Sequence, residues 1–440
     1  MAATQRCLDR TRAIQARARH LIPGGAHTYA KGDDQFPDNA PGCLVRGAGC
    51  HVWDADDNEY IEYGMGLRAV TLGHGFEPVV QAAAAYLPLG TNFTRPAAVE
   101  VECAEELLHF LPGADMVKFC KDGSMAVDGA IKLARAHTGR DMVAICAEHP
   151  FFSTNDWFMG TTGMPGGIPA WVREQTVKFH YNDLGSLEAL FERHSQQIAC
   201  VVMEAARLEE PQPGYLHAVQ ACCRRHGALL VIDEMITGFR WHLGGAQSLF
   251  GFTPDLSTFG KALANGFSVS ALVGKREFMQ LGGFDHEHER VFLLSTTHGA
   301  ENHALAAAIA TMRFYRSHPV IETLYARGAR LRTGLAPVID RLGLARQFEL
   351  MGRDCSLLYA TRDAAGEPSQ PLRTLFLQEL IRHGIIAPSF VVSYSHSEAD
   401  IDRTIVAVTA ALEVYRHALD QGVDRYLMGR SVKPVFRPFA

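Results

Sequence analysis

The chain has 440 residues, of which 47% are apolar and 20% charged, a balance that excludes an extended disordered protein. One core seldom grows beyond roughly 250–300 residues, so at least two structural parts are expected. Lys and Arg number 42 against 48 Asp and Glu, a formal charge of −6, and without a basic excess no nucleic-acid partner is expected.

No apolar run approaches the roughly 18–20 residues of a membrane span, so no membrane association is expected. The longest candidate, Ala228–Ile232, stops at Asp233 and Glu234. The ten cysteines show no repeated metal-type spacing. Cys222 and Cys223 are adjacent on a predicted helix, which suits neither zinc nor a redox pair. A reduced, cytoplasmic chain without a metal is expected. Met1–His20 lacks the apolar stretch of a secretory signal. Its arginines (Arg6, Arg10, Arg12, Arg17, Arg19) resemble those of a transit peptide, but the simpler reading is a solvated helix leading into Ile22-Pro23-Gly24-Gly25.

In chain order, residues 42–64 predict a hairpin, with Cys50–Trp53 and Tyr60–Tyr63 flanking a turn at Asp54–Asn58. Helical patterns follow at Val79–Leu87, Ala97–Phe110 and Met125–His137. They alternate with short apolar runs at Met116–Cys120, Met142–Cys146, Val177–Tyr181, Ile198–Met203, Ala228–Ile232 and Leu256–Phe259. This alternation predicts an α/β fold with a mostly parallel sheet. Beyond Glu301 long helices take over at Asn302–Ser317, Val320–Leu342, Pro371–Arg382 and Glu398–Leu419, with one strand region at Leu350–Tyr359. The expected organisation is a large α/β domain at 61–315 and a smaller α+β domain at 316–440. The N-terminal segment 1–60 is expected to pack with the latter.

Three segments carry chemistry. The run Leu229–Ile232 delivers Asp233 at the end of a buried strand, the edge where open α/β sheets bind ligands. The alternative is a helix-capping Asp. Lys261 follows another strand end, in Phe259-Gly260-Lys261-Ala262, where desolvation would make it a nucleophile; the alternative is a solvated surface lysine. Lys121-Asp122-Gly123-Ser124 opens a helix whose first amides suit a phosphate, or is an ordinary capped helix start. Together they match a pyridoxal phosphate site: a Lys for the Schiff base, an acid for the pyridine nitrogen and a phosphate loop.

In that order and spacing the chain resembles the class III aminotransferases of pyridoxal phosphate fold type I, and within them the glutamate-1-semialdehyde aminomutases. The resemblance runs from Ile22 to about Ala410. It is carried by Ile22-Pro23-Gly24-Gly25, Leu72-Gly73-His74-Gly75, Ala134–Arg140, Ala387-Pro388-Ser389, His396–Arg403 and, most specifically, Asp233–Arg240 (DEMITGFR). It implies a large mostly parallel α/β domain plus a smaller α+β domain, pyridoxal 5'-phosphate as cofactor, and a homodimer with shared active sites. By residue it implies Lys261 as the Schiff-base lysine and Asp233 as the pyridinium partner. Gly123 and Ser124 would meet the phosphate and Met235 would pack behind the ring. Phe151 would stack on the ring, with Phe152 a close second candidate. Thr296 would reach the phosphate of the neighbouring subunit. Glu204 matches an acidic strand end, but Ala205 replaces the following Pro.

The departures bear on substrate. Lys31 stands where the mutases carry an Arg for the substrate carboxylate, and it lacks the bidentate fork. Met125 replaces the usual Glu of the phosphate loop. The stretch from Ser389 to His396 is about four residues short of the mutase pattern, and Val391 and Val392 stand where it carries an acid. Arg68 appears in Gly66-Leu67-Arg68-Ala69, a stretch near the substrate in the family; it is read as a substrate contact against the alternative of a surface Arg. The expected activity is therefore ping-pong transfer of an amino group from an amine donor to a carbonyl acceptor. The alternative is a glutamate-1-semialdehyde 2,1-aminomutase. A nucleotide-binding dehydrogenase or a non-catalytic binding protein is a remote third. Gly47-Ala48-Gly49 and Gly64-Met65-Gly66 lack the third Gly of a dinucleotide fingerprint.

Overall fold

The computed structural model describes residues 6–439. The chain divides into two compact units. One gathers the residues up to Phe76 with Glu322–Arg437; the other is built on Glu77–Ile321.

The second unit is organised around a seven-stranded sheet. Its strands are β4 (Met116–Cys120), β5 (Met142–Cys146), β6 (Thr176–Phe179), β7 (Ile198–Met203), β8 (Leu229–Asp233), β9 (Leu256–Phe259) and β10 (Ser270–Gly274), in the order β4-β10-β9-β8-β7-β5-β6. Pairing is parallel from β9 through β8, β7 and β5 to β6, and β10 runs antiparallel to both of its neighbours. The central strands β7 and β8 are buried along their whole length, as continuous Val, Ile and Leu runs require when helices cover both faces. The helix Gly123–Thr138 buries Ala126, Val127, Ala130, Ile131, Leu133 and Ala134 in the core that contains Val202, Val231 and Leu272. The sequence pattern missed β10. Ser270-Ala271-Leu272-Val273-Gly274 is short and bounded by small residues, and its strand character comes from pairing on both edges.

The first unit carries a four-stranded sheet. Its strands are β1 (Leu44–Ala48), β2 (His51–Asp54), β3 (Glu59–Glu62) and β13 (Ile385–Ile386), in that order. β1–β2–β3 is an antiparallel meander that includes the expected hairpin, and β13 joins parallel to β3. The expected strand region at Leu350–Tyr359 is a hairpin of β11 (Phe348–Met351) and β12 (Leu358–Thr361) around a short turn at Asp354–Ser356. Gly352, at φ +76°, turns the chain where a continuous strand would have to run on. Helices Gln370–Arg382 and Glu398–Gln421 complete this unit. Tyr63 ties its sheet to the second of them, donating to Thr404 Oγ1 at 2.7 Å.

No helix among the described residues is long and apolar enough to cross a membrane. None of the ten cysteines is in a disulfide.

Candidate active site

The C-terminal ends of β8 and β9 are neighbours, because the strands run parallel with Asp233 beside Thr258. Strand alternation points consecutive acids to opposite sides. Asp233 is 4% exposed. Its Oδ1 accepts from the Met235 N–H at 2.8 Å and from the Thr258 hydroxyl at 3.4 Å. Burial pushes its carboxyl up to about 6, and the charge of Lys261 pulls against that rise. Glu234 is bound structurally. It accepts from the Ala246 and Gln247 amides at 2.8 Å each and from the Thr237 hydroxyl. Burial pushes it up to about 7. The paired acids thus divide the work: Glu234 anchors the following loop, while Asp233 is held next to the lysine turn.

Lys261 begins a short 3-10 turn, Lys261–Ala264, directly after β9. Its φ of +44° lies in the left-handed region, which costs a non-glycine residue about 1 kcal/mol or more. Neighbouring groups are packed to hold that turn. A Cβ at Gly260 would stand 2.5 Å from Ser270 Oγ and 2.6 Å from Met235 Sδ. A Cβ at Gly123 would stand 2.8 Å from the same Met235 sulfur. The Met235 thioether therefore lies between the lysine turn and the Gly123 loop, and each approach requires the absence of a side chain.

The loop itself starts the helix Gly123–Thr138. Asp122 caps it by accepting from the Met125 N–H at 3.0 Å, while the amides of Gly123 and Ser124 have no intrahelical carbonyl. Ser124 Oγ accepts from the Thr154 N–H at 3.0 Å and retains its own proton to donate. Ser268 Oγ donates to the Lys121 carbonyl at 2.7 Å, and Lys121 Nζ pairs with Glu301 Oε2 at 2.5 Å.

The two aromatic candidates separate. Phe152 is 2% exposed and packs in the core against Phe158, whereas Phe151 is 43% exposed. Glu204 is buried at the end of β7, and its backbone N–H donates to His149 Nδ1 at 3.0 Å. Burial lowers His149 to about 3, with help from the Arg207 charge, so it is a neutral acceptor. Thr296 is exposed, in an irregular segment before the helix Asn302–Ser317. This segment is fixed from the side: the Asn92 side chain donates to the Thr297 carbonyl at 2.8 Å.

Asp233, Met235, Gly123, Ser124 and Lys261 thus belong to one sheet edge of the second unit. Arg68 and Lys31 belong to the first unit. Arg68 ends a single turn, Met65–Arg68, in which all four residues have positive φ (41°, 56°, 59° and 73°). Its ends are closed by Arg68 N–H to the Gly64 carbonyl and Val70 N–H to the Met65 carbonyl, both at 3.0 Å. Lys31 is exposed at the end of a short 3-10 turn. Sequence reasoning missed Thr258 and Ser270, while Asp122 stands in the loop it had singled out, as the cap of the helix. The first two belong to strands whose pairing brings them beside Asp233 and Gly260, which spacing along the chain does not reveal.

Residues 34–353 match the family described as Aminotransferase class-III. The chain belongs to the class III aminotransferases. It is 32% identical over 417 residues to the 3-aminobutyryl-CoA aminotransferase of Cloacimonas acidaminovorans, covering 92% of this chain and 97% of that one. It is 30% identical to the glutamate-1-semialdehyde 2,1-aminomutase of Desulfitobacterium hafniense, covering 90% and 96%. Among solved structures, the PLP internal aldimine form of the FumI protein of Sphingopyxis sp. MTA144 superposes with a TM-score of 0.85 at 30% identity, covering 94% of this chain and 98% of that one. An omega-transaminase from Sphaerobacter thermophilus gives 0.83 at 26%, covering 92% and 98%. This aminotransferase has fold type I and uses pyridoxal 5'-phosphate. The glycine approaches around Met235, the amides of the Gly123 loop and the buried acid suit a flat ring bearing a basic nitrogen and a phosphate.

Proposed function

We propose that the enzyme transfers an amino group between two separate substrates in ping-pong fashion, from an amine donor to a carbonyl acceptor that carries an anionic group. The observation that supports the site is the Met235 side chain wedged between Gly123 and Gly260, beside a buried Asp233 that senses the Lys261 charge. Bound pyridoxal phosphate supplies an electron sink for breaking the bond at the amino-bearing carbon. Lys261 would hold that group through its amine and, when the amine is free, would serve as the base that takes the proton from the amino-bearing carbon. Asp233 holds a proton on the ring nitrogen, and Thr258 and the Met235 amide fix the carboxylate for that task. The Gly123 and Ser124 amides and the Ser124 hydroxyl bind phosphate. Met235 and Phe151, the exposed aromatic, would hold the ring.

The active form is a homodimer in which Thr296 serves the partner's phosphate. Its exposure and the fixed backbone of its segment support this. A cytoplasmic location is part of this reading, supported by ten cysteines of which none is in a disulfide. Arg68 and Lys31 are the candidate cations for the acceptor's anionic group. A β-amino or α-amino carbonyl pair is compatible with the relatives named above, one of which acts on a 3-aminobutyryl thioester.

The second reading is the intramolecular aminomutase, favoured by relatives of that name at 30–32% identity. Against it stands the small-domain stretch in which Val391 and Val392 are fully buried and offer no acid. The deciding experiment incubates the enzyme with glutamate-1-semialdehyde alone. Little product without an added donor and acceptor is expected. Efficient stoichiometric conversion to 5-aminolevulinate would make it a mutase. Lys261→Ala anchors the site assignment: it should bind cofactor without a covalent bond and lose turnover by about 10²–10⁴-fold or more.

A further inference from the structure

A second cluster of chemically competent side chains lies in the first unit, among residues to which the amino transfer assigns no role. Cys50 immediately precedes β2, His51 opens it, and Asp400 stands in the first turn of the helix Glu398–Gln421. Their ligand atoms, Cys50 Sγ, one His51 ring nitrogen and an Asp400 oxygen, all lie within 4.8 Å of one another. We propose that Cys50, His51 and Asp400 form a structural site for a borderline-soft divalent cation, Zn²⁺ in particular, with a solvent molecule as fourth ligand.

The geometry is the first argument. With Zn–S of about 2.3 Å and Zn–N or Zn–O of about 2.0–2.1 Å, tetrahedral ligand atoms stand about 3.3–3.6 Å apart. Cys50 Sγ is 3.5 Å from Asp400 Oδ2, and His51 Nε2 is 3.1 Å from Asp400 Oδ1. These two contacts run to different Asp400 oxygens, and the sulfur and ring nitrogen lie within 4.8 Å of one another, so a metal would enter with side-chain movement that draws the three ligand atoms together. One thiolate, one imidazole and one carboxylate form a mixed S, N, O set that suits zinc over magnesium or calcium.

The supporting shell is the second argument. Glu59 Oε1 stands 2.6 Å from the other His51 ring nitrogen, a charge contact without hydrogen-bond geometry that favours a cationic environment at the ring. The Ser397 N–H and hydroxyl hold Asp400 Oδ2 at 2.9 and 2.6 Å, so the carboxylate is fixed in orientation. The Cys50 carbonyl accepts from the Glu62 N–H at 2.8 Å, which pins the thiol-bearing residue to β3. Cys50 and Asp400 are buried and His51 is half-buried, giving a sheltered site with one side open to solvent. A cation there would fasten the N-terminal strands to a helix 350 positions further along the chain. Its role is to stabilise this unit.

The test uses the cofactor-loaded enzyme, dialysed against a chelator and titrated with Co²⁺. Tetrahedral cobalt bands are read at wavelengths beyond the cofactor's absorption. One equivalent of Co²⁺ per chain should give intense bands that Zn²⁺ displaces. Cys50→Ser and His51→Gln should each abolish them while keeping transaminase activity, because neither touches the residues assigned to cofactor or substrate. Absence of tetrahedral bands at one equivalent, or bands that persist in both Cys50→Ser and His51→Gln, would overturn the site and leave these contacts as hydrogen bonds alone.

Discussion

Lys121 and Glu301 form an ion pair at 2.5 Å, each side chain about a quarter exposed. The pair joins the start of the phosphate-type loop to the residue that precedes the helix Asn302–Ser317. The hydrogen bond from Lys121 is the main cause of the lowered Glu301 carboxyl. Its stabilisation is therefore complete above the carboxylate's unfolded pKa and is lost as pH falls through the lower folded value. Partial exposure screens it, so Glu301→Gln should cost about 0.5–1 kcal/mol at pH 7 and less at an acid pH where the folded carboxyl is protonated. Urea unfolding of both proteins at the two pH values checks this. An equal difference at both would mean that the charge of Glu301 is not what stabilises the junction.

Asp233 gives a prediction of the opposite sign. Burial pushes its folded pKa up to about 6, above the ordinary carboxylate value of 3.8, so the folded chain without cofactor binds its proton more tightly than the unfolded chain. Stability falls as pH rises from about 4 to about 6 and stays reduced above, by up to about 3 kcal/mol. Cofactor-free Asp233→Asn should then be more stable than cofactor-free wild type at pH 8 and indistinguishable from it at pH 4. The same variant should lose about 10²–10³-fold in turnover, because a neutral amide cannot hold the ring proton electrostatically. Chemical denaturation of the two apoproteins, with turnover of the loaded forms, tests both halves. Full activity in Asp233→Asn would assign the nitrogen's partner elsewhere.

Much of this arrangement was legible in the sequence because it lies at the ends of strong patterns. Leu229–Ile232 is an apolar run that stops abruptly at Asp233, and the short strand Leu256–Phe259 ends two residues before Lys261, so both Asp233 and Lys261 could be placed at strand ends. The helix after Gly123 was equally clear from its alanine-rich buried face. What could not be read was spatial closure. β10 has no periodicity of its own, and Ser270 gains its place beside Gly260 only through antiparallel pairing with β9. The choice between Phe151 and Phe152 also turns on burial, since adjacent identical side chains carry no distinguishing pattern. The left-handed turn at Met65–Arg68 was invisible because Met, Leu and Arg are poor signals for positive φ.

The shared-site proposal predicts complementation. Lys261→Ala and Thr296→Asp homodimers should each be nearly inactive, the second because a carboxylate would repel the phosphate. Mixed and allowed to exchange subunits, they should form heterodimers with one doubly defective site and one intact site. About half of the wild-type activity per heterodimer is expected if the two sites act independently. Sedimentation to confirm exchange, followed by activity measurement, distinguishes the cases. No recovery after confirmed exchange would place both residues in the same site of one subunit.

Arg68 allows charge and backbone strain to be separated. At φ +73° it ends a left-handed turn in which Met65 and Leu67 are also strained, a cost of about 1–2 kcal/mol for each non-glycine residue. Arg68→Ala keeps the strain and removes the guanidinium, whereas Arg68→Gly removes both. The glycine variant should therefore be about 1 kcal/mol more stable than the alanine variant. If the guanidinium meets the anionic group of the acceptor, both variants should lose about 1.5–3 kcal/mol of binding, raising the acceptor KM by one to two decades. The donor half-reaction should change far less, provided that the donor lacks the anion. Steady-state kinetics with acceptor and donor varied separately, alongside thermal unfolding, reads all three quantities. An unchanged acceptor KM in both variants, with the stability difference present, would leave the turn as a strained structural element and move the anion's partner to another cation.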